Sequence, residues 1–346
     1  MENIEEIASK IVGDGKGVLA ADESTNTIKK RFDSIDVDST EDTRCNYREI
    51  LFSSKGISQF ISGVILFEET FFQKNKQGQS LKEILENVDC FPGIKIDQGL
   101  EAFNNSPNET YTKGIDTLNK RLKPFAENGA KFTKWRAVIS IDTNLPTIEC
   151  VKKNSELLSE FALISQKNNL VPIVEPEIIM EGKHNLEKCY EVTKNTLREV
   201  FSCLKNKKVN LNGMLLKPNM IVPGNKSAEK LNIKKSAEKT VQCLKETVPN
   251  EVPGVIFLSG GLNSLDATML LNKINKLGKL NCKLSFSYGR ALQHSCLKAW
   301  KGNDLSAGQN ALIARAQANS EASKGIYVTG SQPSSDEALF VAGYTY

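Results

Sequence analysis

The stretch GMLLKPNM, residues 213–220, shows on a small scale the pattern that decides the fold. Its apolar run from Met214 to Leu216 is typical of a buried strand, and Pro218 ends the regular ladder directly after Lys217. A buried ammonium costs several kcal/mol unless it is paired or loses its proton, so Lys217 is a candidate neutral amine. The alternative is a lysine whose head reaches solvent from the end of the strand.

Apolar runs that end in polar or charged residues recur along the whole chain. Besides the run before Lys217, the predicted strands are Gly17 to Asp22, Ile61 to Phe67, Gly93 to Gln98, Phe132 to Ile139, Leu170 to Ile178, Gly254 to Gly260 and Lys283 to Arg290. Helical patterns separate them, near Thr43 to Ser54, Ile115 to Asn128, Ile148 to Asn168, Leu186 to Leu204, 227–247 and 264–277. This alternation predicts an α/β fold, a single-domain (β/α)8 TIM barrel over residues 1–323.

An open doubly wound sheet is the alternative fold. It would carry a glycine-rich turn after the first strand, whereas Asp22 is followed by the polar loop Glu23, Ser24 and Thr25. The glycines of residues 13–17 precede that strand, so they indicate a helix stop and not a nucleotide loop.

Composition excludes several classes of protein. The 346 residues are 40% hydrophobic and 25% charged, and the net charge of +4 is spread along the chain, which favours small anionic ligands over nucleic acid. Eight cysteines without a C-x-x-C pair predict reduced thiols in a cytoplasmic protein, and no signal or membrane-spanning segment is expected. With two histidines far apart, we expect neither a metal site nor a cofactor, and no nucleic-acid or membrane partner.

The chemistry is expected at the carboxyl ends of the strands, where barrels of this kind place functional groups. Residues two apart on a strand share a face, so we expect these pairs to point together into the barrel: Lys95 with Asp97, Lys134 with Arg136, and Glu175 with Glu177. The second strand is predicted to end in Glu68 and Glu69.

Such a cluster of cations and carboxylates around one lysine suits imine chemistry. Lys217 is the predicted nucleophile, because Leu215 and Leu216 offer no charge to hold its ammonium form and the cation of Lys134 favours the neutral amine. Lys134 is the competing candidate for a partly deprotonated amine. Glu175 is the predicted acid and base, with Glu177 as the second carboxyl. Two ion-paired core carboxylates are the alternative for this pair.

Glycine loops at the ends of the last two strands predict a phosphate site, because barrels commonly bind phosphate there. The residues are Ser259, Gly260, Gly261, Ser287, Gly289 and Arg290. A second phosphate is predicted at the loop after the first strand, from Ser24, Thr27, Lys30 and Arg31. A solvated loop with a helix cap at Ser24 or Thr25 is the alternative there.

These motifs, taken in order, resemble a known family. GKGVLAADEST (residues 15–25), GIKIDQG, KWRAVI, IVEPEI, GMLLKPNM, FLSGG and FSYGRALQ are similar to the motifs of the class I, Schiff-base fructose-1,6-bisphosphate aldolases. The resemblance covers essentially the whole chain, to the terminal Tyr346. Thr27 departs from it, because many members carry serine there.

The resemblance implies a metal-independent aldehyde-lyase of glycolysis and gluconeogenesis that cleaves fructose 1,6-bisphosphate to dihydroxyacetone phosphate and glyceraldehyde 3-phosphate. It implies Lys217 as the imine-forming residue, with Asp22, Lys134, Glu175 and Glu177 around it. Lys95 is implied as a phosphate contact, and Arg136 joins the predicted substrate-binding set.

Residues 324–346 are expected to form a flexible tail that reaches the active site. By resemblance, Tyr346 at its end helps proton exchange on the enamine, and the protein is a homotetramer. A merely disordered tail is the alternative from composition.

Two rival functions remain open at this stage. A transaldolase uses the same imine chemistry, but its substrates carry one phosphate, which the two basic clusters disfavour. A binding or scaffold protein that kept the fold and lost the chemistry would not be expected to retain this set of catalytic residue types.

Overall fold

Eight parallel strands close a barrel in the computed structural model, which describes residues 3–104, 106, 108–278, 280–335, 337 and 339. In chain order the strands are β1 (Gly17–Ala21), β2 (Ile61–Leu66), β3 (Phe91–Lys95), β4 (Leu100–Ala102), β5 (Thr110–Thr112), β6 (Phe132–Ile139), β7 (Val171–Ile178), β8 (Leu215–Leu216), β9 (Gly254–Phe257) and β10 (Lys283–Tyr288). The barrel order is β1-β10-β9-β8-β7-β6-β3-β2, while β4 and β5 form a separate hairpin. The predicted (β/α)8 barrel is confirmed.

Helices cover the outside of the barrel and follow most of its strands. They are α1 (Ile4–Ile11), α2 (Thr25–Asp33), α3 (Glu41–Phe52), α4 (Glu68–Phe72), α5 (Leu81–Glu86), α6 (Leu118–Glu127), α7 (Ile148–Lys167), α8 (Leu186–Asn206), α9 (Ile233–Thr247), α10 (Ser264–Leu277), α11 (Arg290–Trp300) and α12 (Leu305–Ser323). Short 3-10 turns lie at Ile57–Gln59 and Leu211–Gly213. Side chains cap several starts: the Thr147 and Asn185 side chains accept hydrogen bonds at the starts of α7 and α8.

The structure corrects several local predictions. The expected polar loop after β1 is helix α2, with Ser24 at its N-cap position. Glu68 and Glu69 begin α4 and do not end the second strand; there Arg44 binds Glu69, with Nε 2.9 Å from Oε1. Strand β8 spans only Leu215–Leu216, because Pro218 has no N–H to continue the hydrogen-bonded ladder. The hairpin of β4 and β5 was not predicted.

Helix α1 packs against the barrel at the end where the strands begin. A capping box between Asn3 and Glu6 fixes its start, and Ile7, Ala8 and Ile11 form its buried face. This face shares a core cluster with inward-facing residues of the strands, which are Val18, Ala20, Ile65, Phe132, Val171, Ile173, Leu215 and Ile256. The amino end of the barrel is therefore filled with apolar side chains.

Glycine makes room for the largest of these interior side chains. A Cβ added at Gly93 would lie 2.1 Å from the Phe132 ring, and one at Gly63 would lie 2.9 Å from it. Real Cβ atoms essentially never approach another heavy atom so closely, so both positions require glycine while Phe132 keeps its place in the buried interior cluster.

In the same inward-facing rows, titratable residues replace apolar ones toward the carboxyl ends of the strands. Two residues beyond Ala20, Ile173 and Leu215 the inward positions hold Asp22, Glu175 and Lys217. Apolar packing at one end thus forces the titratable residues to collect at the other end.

Helix α12 ends at Ser323, and the described residues after it lie against α10, α11 and α12. Ser264 and Ser335 exchange two hydrogen bonds of 3.0 Å, and Arg315 donates to the carbonyl of Pro333 at 3.1 Å. The division into a barrel and a flexible tail stays a prediction. Tyr346 lies outside the described residues.

All eight cysteines are free thiols. Among the described residues, the helices are all too short or too polar to cross a membrane.

Candidate active site

Lys217 lies one residue beyond β8, inside the barrel. Its backbone N–H donates to the carbonyl of Val174 at 2.8 Å, so the ladder with β7 continues to this residue. The side chain is 5% exposed, and its Nζ lies 3.0 Å from Oε1 of Glu175. Its neighbours Leu215 and Leu216 carry no charge, as predicted, and the carboxylate beside the amine comes from the adjacent strand β7.

Lys134 occupies the position between two carboxylates. Its Nζ lies 2.8 Å from Oδ2 of Asp22 and 3.2 Å from Oε2 of Glu175, and its side chain is 1% exposed. Glu175 therefore contacts both lysines, one with each oxygen. The side chains come from three strands and converge because Asp22, Lys134 and Glu175 all continue inward-facing rows.

In this cluster, Lys134 and Asp22 each stabilise the ionised form of the other. Burial alone would lower the pKa of Lys134, but Asp22 and Glu175 raise it well above its ordinary value. Burial would likewise raise the pKa of Asp22, yet the charges of Lys134, Lys217 and Lys95 hold it well below its usual range. The two carboxylates favour the ammonium form of Lys134, which argues against Lys134 as the competing candidate for the neutral amine.

Arg136 and Glu177 form a second buried ion pair next to this cluster. In this pair, Nε of the Arg136 guanidinium contacts Oε2 of the Glu177 carboxylate. Burial would raise the pKa of Glu177, but Arg136, with help from Arg290 and Lys217, holds it below its ordinary value. Both carboxylates are thus ion-paired, Glu177 with Arg136 and Glu175 with two amines, so the alternative of two ion-paired carboxylates stays open.

Lys95 is paired within its own strand row. Its Nζ lies 2.7 Å from Oδ1 of Asp97, and both side chains are 5% exposed. Burial would raise the pKa of Asp97, but Lys95 and Lys134 hold it below its ordinary value. The predicted shared face of Lys95 and Asp97 is confirmed, and it brings a third lysine to the rim of the cluster.

A cavity of about 190 Å³ lies beside the first and last strands of the barrel. Thr27, Lys30, Arg31 and Arg290 line it together with residues of α11 and Leu339. Gly289 lies at its edge, since a Cβ there would be 3.9 Å from Nη2 of Arg31. Arg290 was predicted to belong to a different phosphate site from Thr27, Lys30 and Arg31. The structure places residues of both predicted sites around this one cavity, because β1 and β10 are neighbours in the closed barrel.

The remaining predicted phosphate contacts lie at the same end of the barrel. Gly260 and Gly261 both have positive φ, 60° and 92°, in a turn that the N–H of Leu262 closes on the carbonyl of Ser259. Ser287 is a buried residue of β10. The Oγ of Ser24 lies 3.1 Å from the Oγ1 of Thr27, which places both hydroxyls at the start of α2. Positive φ favours glycine at both turn positions.

Within the described part of the chain, no group of three or more His, Cys, Asp or Glu side chains is arranged to hold a metal ion.

Sequence reasoning missed Glu23 and Arg48, which lie directly behind the cavity. Their carboxylate and guanidinium are 2.6 Å apart and nearly fully buried. A signal was present in the sequence: Arg48 lies on the otherwise apolar face of α3 with Tyr47, Leu51 and Phe52. A charged residue in such a row indicates a buried ionic partner.

Comparison with known protein families gives a match over nearly the whole chain. The family model for fructose-bisphosphate aldolase class I, described as glycolytic, matches residues 3–346. The chain belongs to the class I fructose-bisphosphate aldolase family. Enzymes of this class are lyases that form an imine with their substrate and use no metal ion, and the chain is one of them.

Individual aldolases are similar over nearly their whole length. The chain is 48% identical to fructose-bisphosphate aldolase 1 of Toxoplasma gondii, over 100% of this chain and 96% of that protein. It is 47% identical to the cytosolic fructose-bisphosphate aldolase 4 of Arabidopsis thaliana, over 96% of this chain and 86% of that protein.

A solved aldolase structure has the same fold. The fructose-bisphosphate aldolase of Plasmodium falciparum, crystallised with TRAP and a small-molecule inhibitor, superimposes with a TM-score of 0.93 at 46% identity. The match covers 94% of this chain and 95% of that one.

Proposed function

We propose that this aldolase cleaves fructose 1,6-bisphosphate reversibly to dihydroxyacetone phosphate and glyceraldehyde 3-phosphate through an imine on Lys217. The observation that carries the proposal is the carboxylate of Glu175, which contacts the amines of Lys217 and Lys134 with separate oxygens. Lys134 is held between the carboxylates of Asp22 and Glu175, so we assign the nucleophilic amine to Lys217, which contacts Glu175.

Glu175 serves as the acid and base of imine formation. The Nζ of Lys217 attacks the C2 ketone of the sugar, and the resulting carbinolamine loses water when Glu175 donates a proton to its oxygen. Glu175 is 3.0 Å from this nitrogen, which is within direct proton-transfer distance. The ammonium of Lys134 stabilises the carboxylate that remains.

The iminium then acts as the electron sink for carbon-carbon cleavage. The C3–C4 bond breaks as the C4 hydroxyl loses its proton to Glu175 or Asp22, which leaves an enamine on Lys217 and releases glyceraldehyde 3-phosphate. Protonation at C3 and hydrolysis of the imine release dihydroxyacetone phosphate. Glu177 acts as the second carboxyl, and we assign proton exchange at C3 to Tyr346.

The substrate phosphates are held by cations and backbone N–H groups at the rim. Positive charge around the cavity comes from Lys30, Arg31 and Arg290. A guanidinium group can bind two oxygens of one phosphate with two parallel hydrogen bonds. The other members of the binding set are Ser24, Thr27, Lys95, Arg136, Ser259, Gly260, Gly261, Ser287 and Gly289. In this role Lys95 and Arg136 would keep their partners Asp97 and Glu177.

We further propose that residues 324–346 form a mobile tail that reaches this site, that the enzyme works in the cytoplasm and that it assembles as a homotetramer. The contact of Arg290 with the carbonyl of Leu339 supports the first point. The cytosolic relative from Arabidopsis supports the second.

The imine mechanism predicts activity without a metal ion. Cleavage of fructose 1,6-bisphosphate should be unchanged, within about two-fold, after exhaustive treatment with a chelator, because the protonated imine withdraws electrons from C3 as a zinc ion would. The measurement is a steady-state assay before and after chelation. Loss of activity that added zinc restores would contradict the imine mechanism.

Arg290→Ala should raise KM for fructose 1,6-bisphosphate about ten-fold or more, because one charge-assisted phosphate contact is lost. The KM for a ketose monophosphate should change much less. The variant Arg198→Ala is a suitable control, since Arg198 is half-exposed on α8 and pairs loosely with Glu246. Equal effects of Arg290→Ala on both substrates would remove Arg290 from the phosphate site.

A further inference from the structure

Glu23 follows Asp22 but faces the opposite side of the barrel wall. Successive side chains of a strand alternate, so Asp22 points inward to Lys134 while Glu23 points outward into the helical layer. Both residues are 2% exposed. One stretch of backbone therefore carries a carboxylate for the catalytic cluster and another for the helices outside it.

The outward carboxylate connects three helices. Oε2 of Glu23 lies 2.6 Å from Nη1 of Arg48 on α3, and Oε1 accepts from Arg31 on α2 and from Nε2 of Gln293 on α11 at 2.9 Å. Gln293 is itself fixed, because it donates to the carbonyl of Ala20 at 2.6 Å and accepts from the hydroxyl of Tyr47 at 3.1 Å.

The three charged groups differ in how far they are exposed. The side chains of Glu23 and Arg48 are 1% and 2% exposed, whereas that of Arg31 is 12% exposed and lines the cavity beside Arg290. Burial would raise the pKa of Glu23, but Arg31 and Arg48 hold it below its ordinary value. The carboxylate is therefore a buried negative charge that Arg31 and Gln293 connect to the cavity, and Arg31 is the charged one of the two.

The charge balance of the three groups suits an anion in the cavity. One carboxylate and two guanidinium groups leave one positive charge, and the exposed end of this cluster is Arg31. A guanidinium presents its N–H donors in a fixed fork that matches phosphate oxygens, so the orientation of Arg31 determines how it can bind a phosphate.

We propose that Glu23, supported by Arg48, is a positioning residue that fixes the guanidinium of Arg31 for a substrate phosphate. Because Asp22 and Glu23 are adjacent, this contact sets the distance between the phosphate and the reacting carbons near Lys134 and Lys217. Glu23 itself touches no substrate. The inference rests on the proposed function, in which Arg31 binds a phosphate of the sugar bisphosphate.

The test is a double-mutant cycle of Glu23→Gln and Arg31→Ala, with kcat and KM for fructose 1,6-bisphosphate as readouts. Glu23→Gln should raise KM about ten-fold or more and leave kcat within about three-fold, because the chemistry at Lys217 is intact. In the Arg31→Ala background the same change should alter KM less than about two-fold. Glu23→Asp should recover part of the loss.

Matched variants separate positioning from folding. Glu69→Gln removes another carboxylate that binds an arginine, Arg44, away from the cavity, and it should leave both constants unchanged. If Glu23→Gln does not fold because Arg48 is left unpaired, Glu23→Gln/Arg48→Met removes both buried charges and should show the same rise in KM.

Three outcomes would overturn the inference: an unchanged or lower KM in folded Glu23→Gln, a kcat that falls as much as KM rises, or an equal KM effect with and without Arg31. An Arg31→Ala variant with normal KM would overturn it as well. Borohydride trapping of dihydroxyacetone phosphate on Lys217, measured in the same variants, tests the proposed imine mechanism separately.

Discussion

Lys217→Met should lower the rate of fructose 1,6-bisphosphate cleavage by at least about 10⁴-fold and abolish covalent trapping of the substrate. In the wild-type enzyme, borohydride added with dihydroxyacetone phosphate should reduce the imine to a stable secondary amine, and peptide mass mapping should find the three-carbon unit on Lys217. The physical reason is that the amine of Lys217 lies 3.0 Å from the proposed acid and base Glu175, while Lys134 is held as an ammonium by two carboxylates.

Two other lysines serve as controls in the trapping experiment. Lys207→Met removes a lysine at the end of α8 that is 36% exposed, and it should trap as the wild type does. Lys134→Met should slow the reaction but leave an adduct on Lys217. A label on Lys134, or active enzyme without any label, would refute the assignment of Lys217.

Lys134→Met should destabilise the fold and slow catalysis together. The change leaves the buried carboxylates of Asp22 and Glu175 without the cation between them, which should cost about 3–5 kcal/mol of unfolding free energy at pH 7. Activity should fall about 10²–10³-fold, because a preorganised charge next to the acid and base is lost. Denaturant unfolding and steady-state kinetics measure the two effects.

The stability difference should depend on pH with a defined sign. The pKa of Asp22 is depressed in the folded wild type, so its stabilisation is fully present above the unfolded value of about 3.9 and is lost as the pH falls through the folded value. The difference between wild type and Lys134→Met should therefore stay nearly constant from pH 7 to about 4 and shrink as the pH falls further. A difference that does not shrink below about pH 4 would contradict the proposed pairing.

An exposed ion pair provides the matched control. Lys29→Met removes a lysine that is 60% exposed and lies 2.8 Å from Asp33 on the same helix. Surface pairs of this kind contribute less than about 1 kcal/mol, so this variant should unfold nearly as the wild type does.

The order of the elements and the inward rows of the barrel followed from the sequence. Parallel strands buried on both faces must be apolar, so their positions could be recognised in the chain, and β6 was predicted with the bounds that the structure has. The alternation of side chains also predicted that Lys95 and Asp97 share one face. Short helices such as α2 and α4 carry few periodic positions, and for this reason they were not recognised.

The pairing of charges was decided only by the tertiary structure. Glu175 contacts Lys217 and Lys134 because β6, β7 and β8 are neighbours in register, and sequence alone gives no register between strands. Arg31 and Arg290 share a cavity because closure of the barrel places β10 beside β1, which brings residues far apart in the chain together. The sequence determined which residue types lie inside the barrel, whereas the closed sheet determined which of them touch, since contact between ionised groups depends on distances of a few ångströms across different strands.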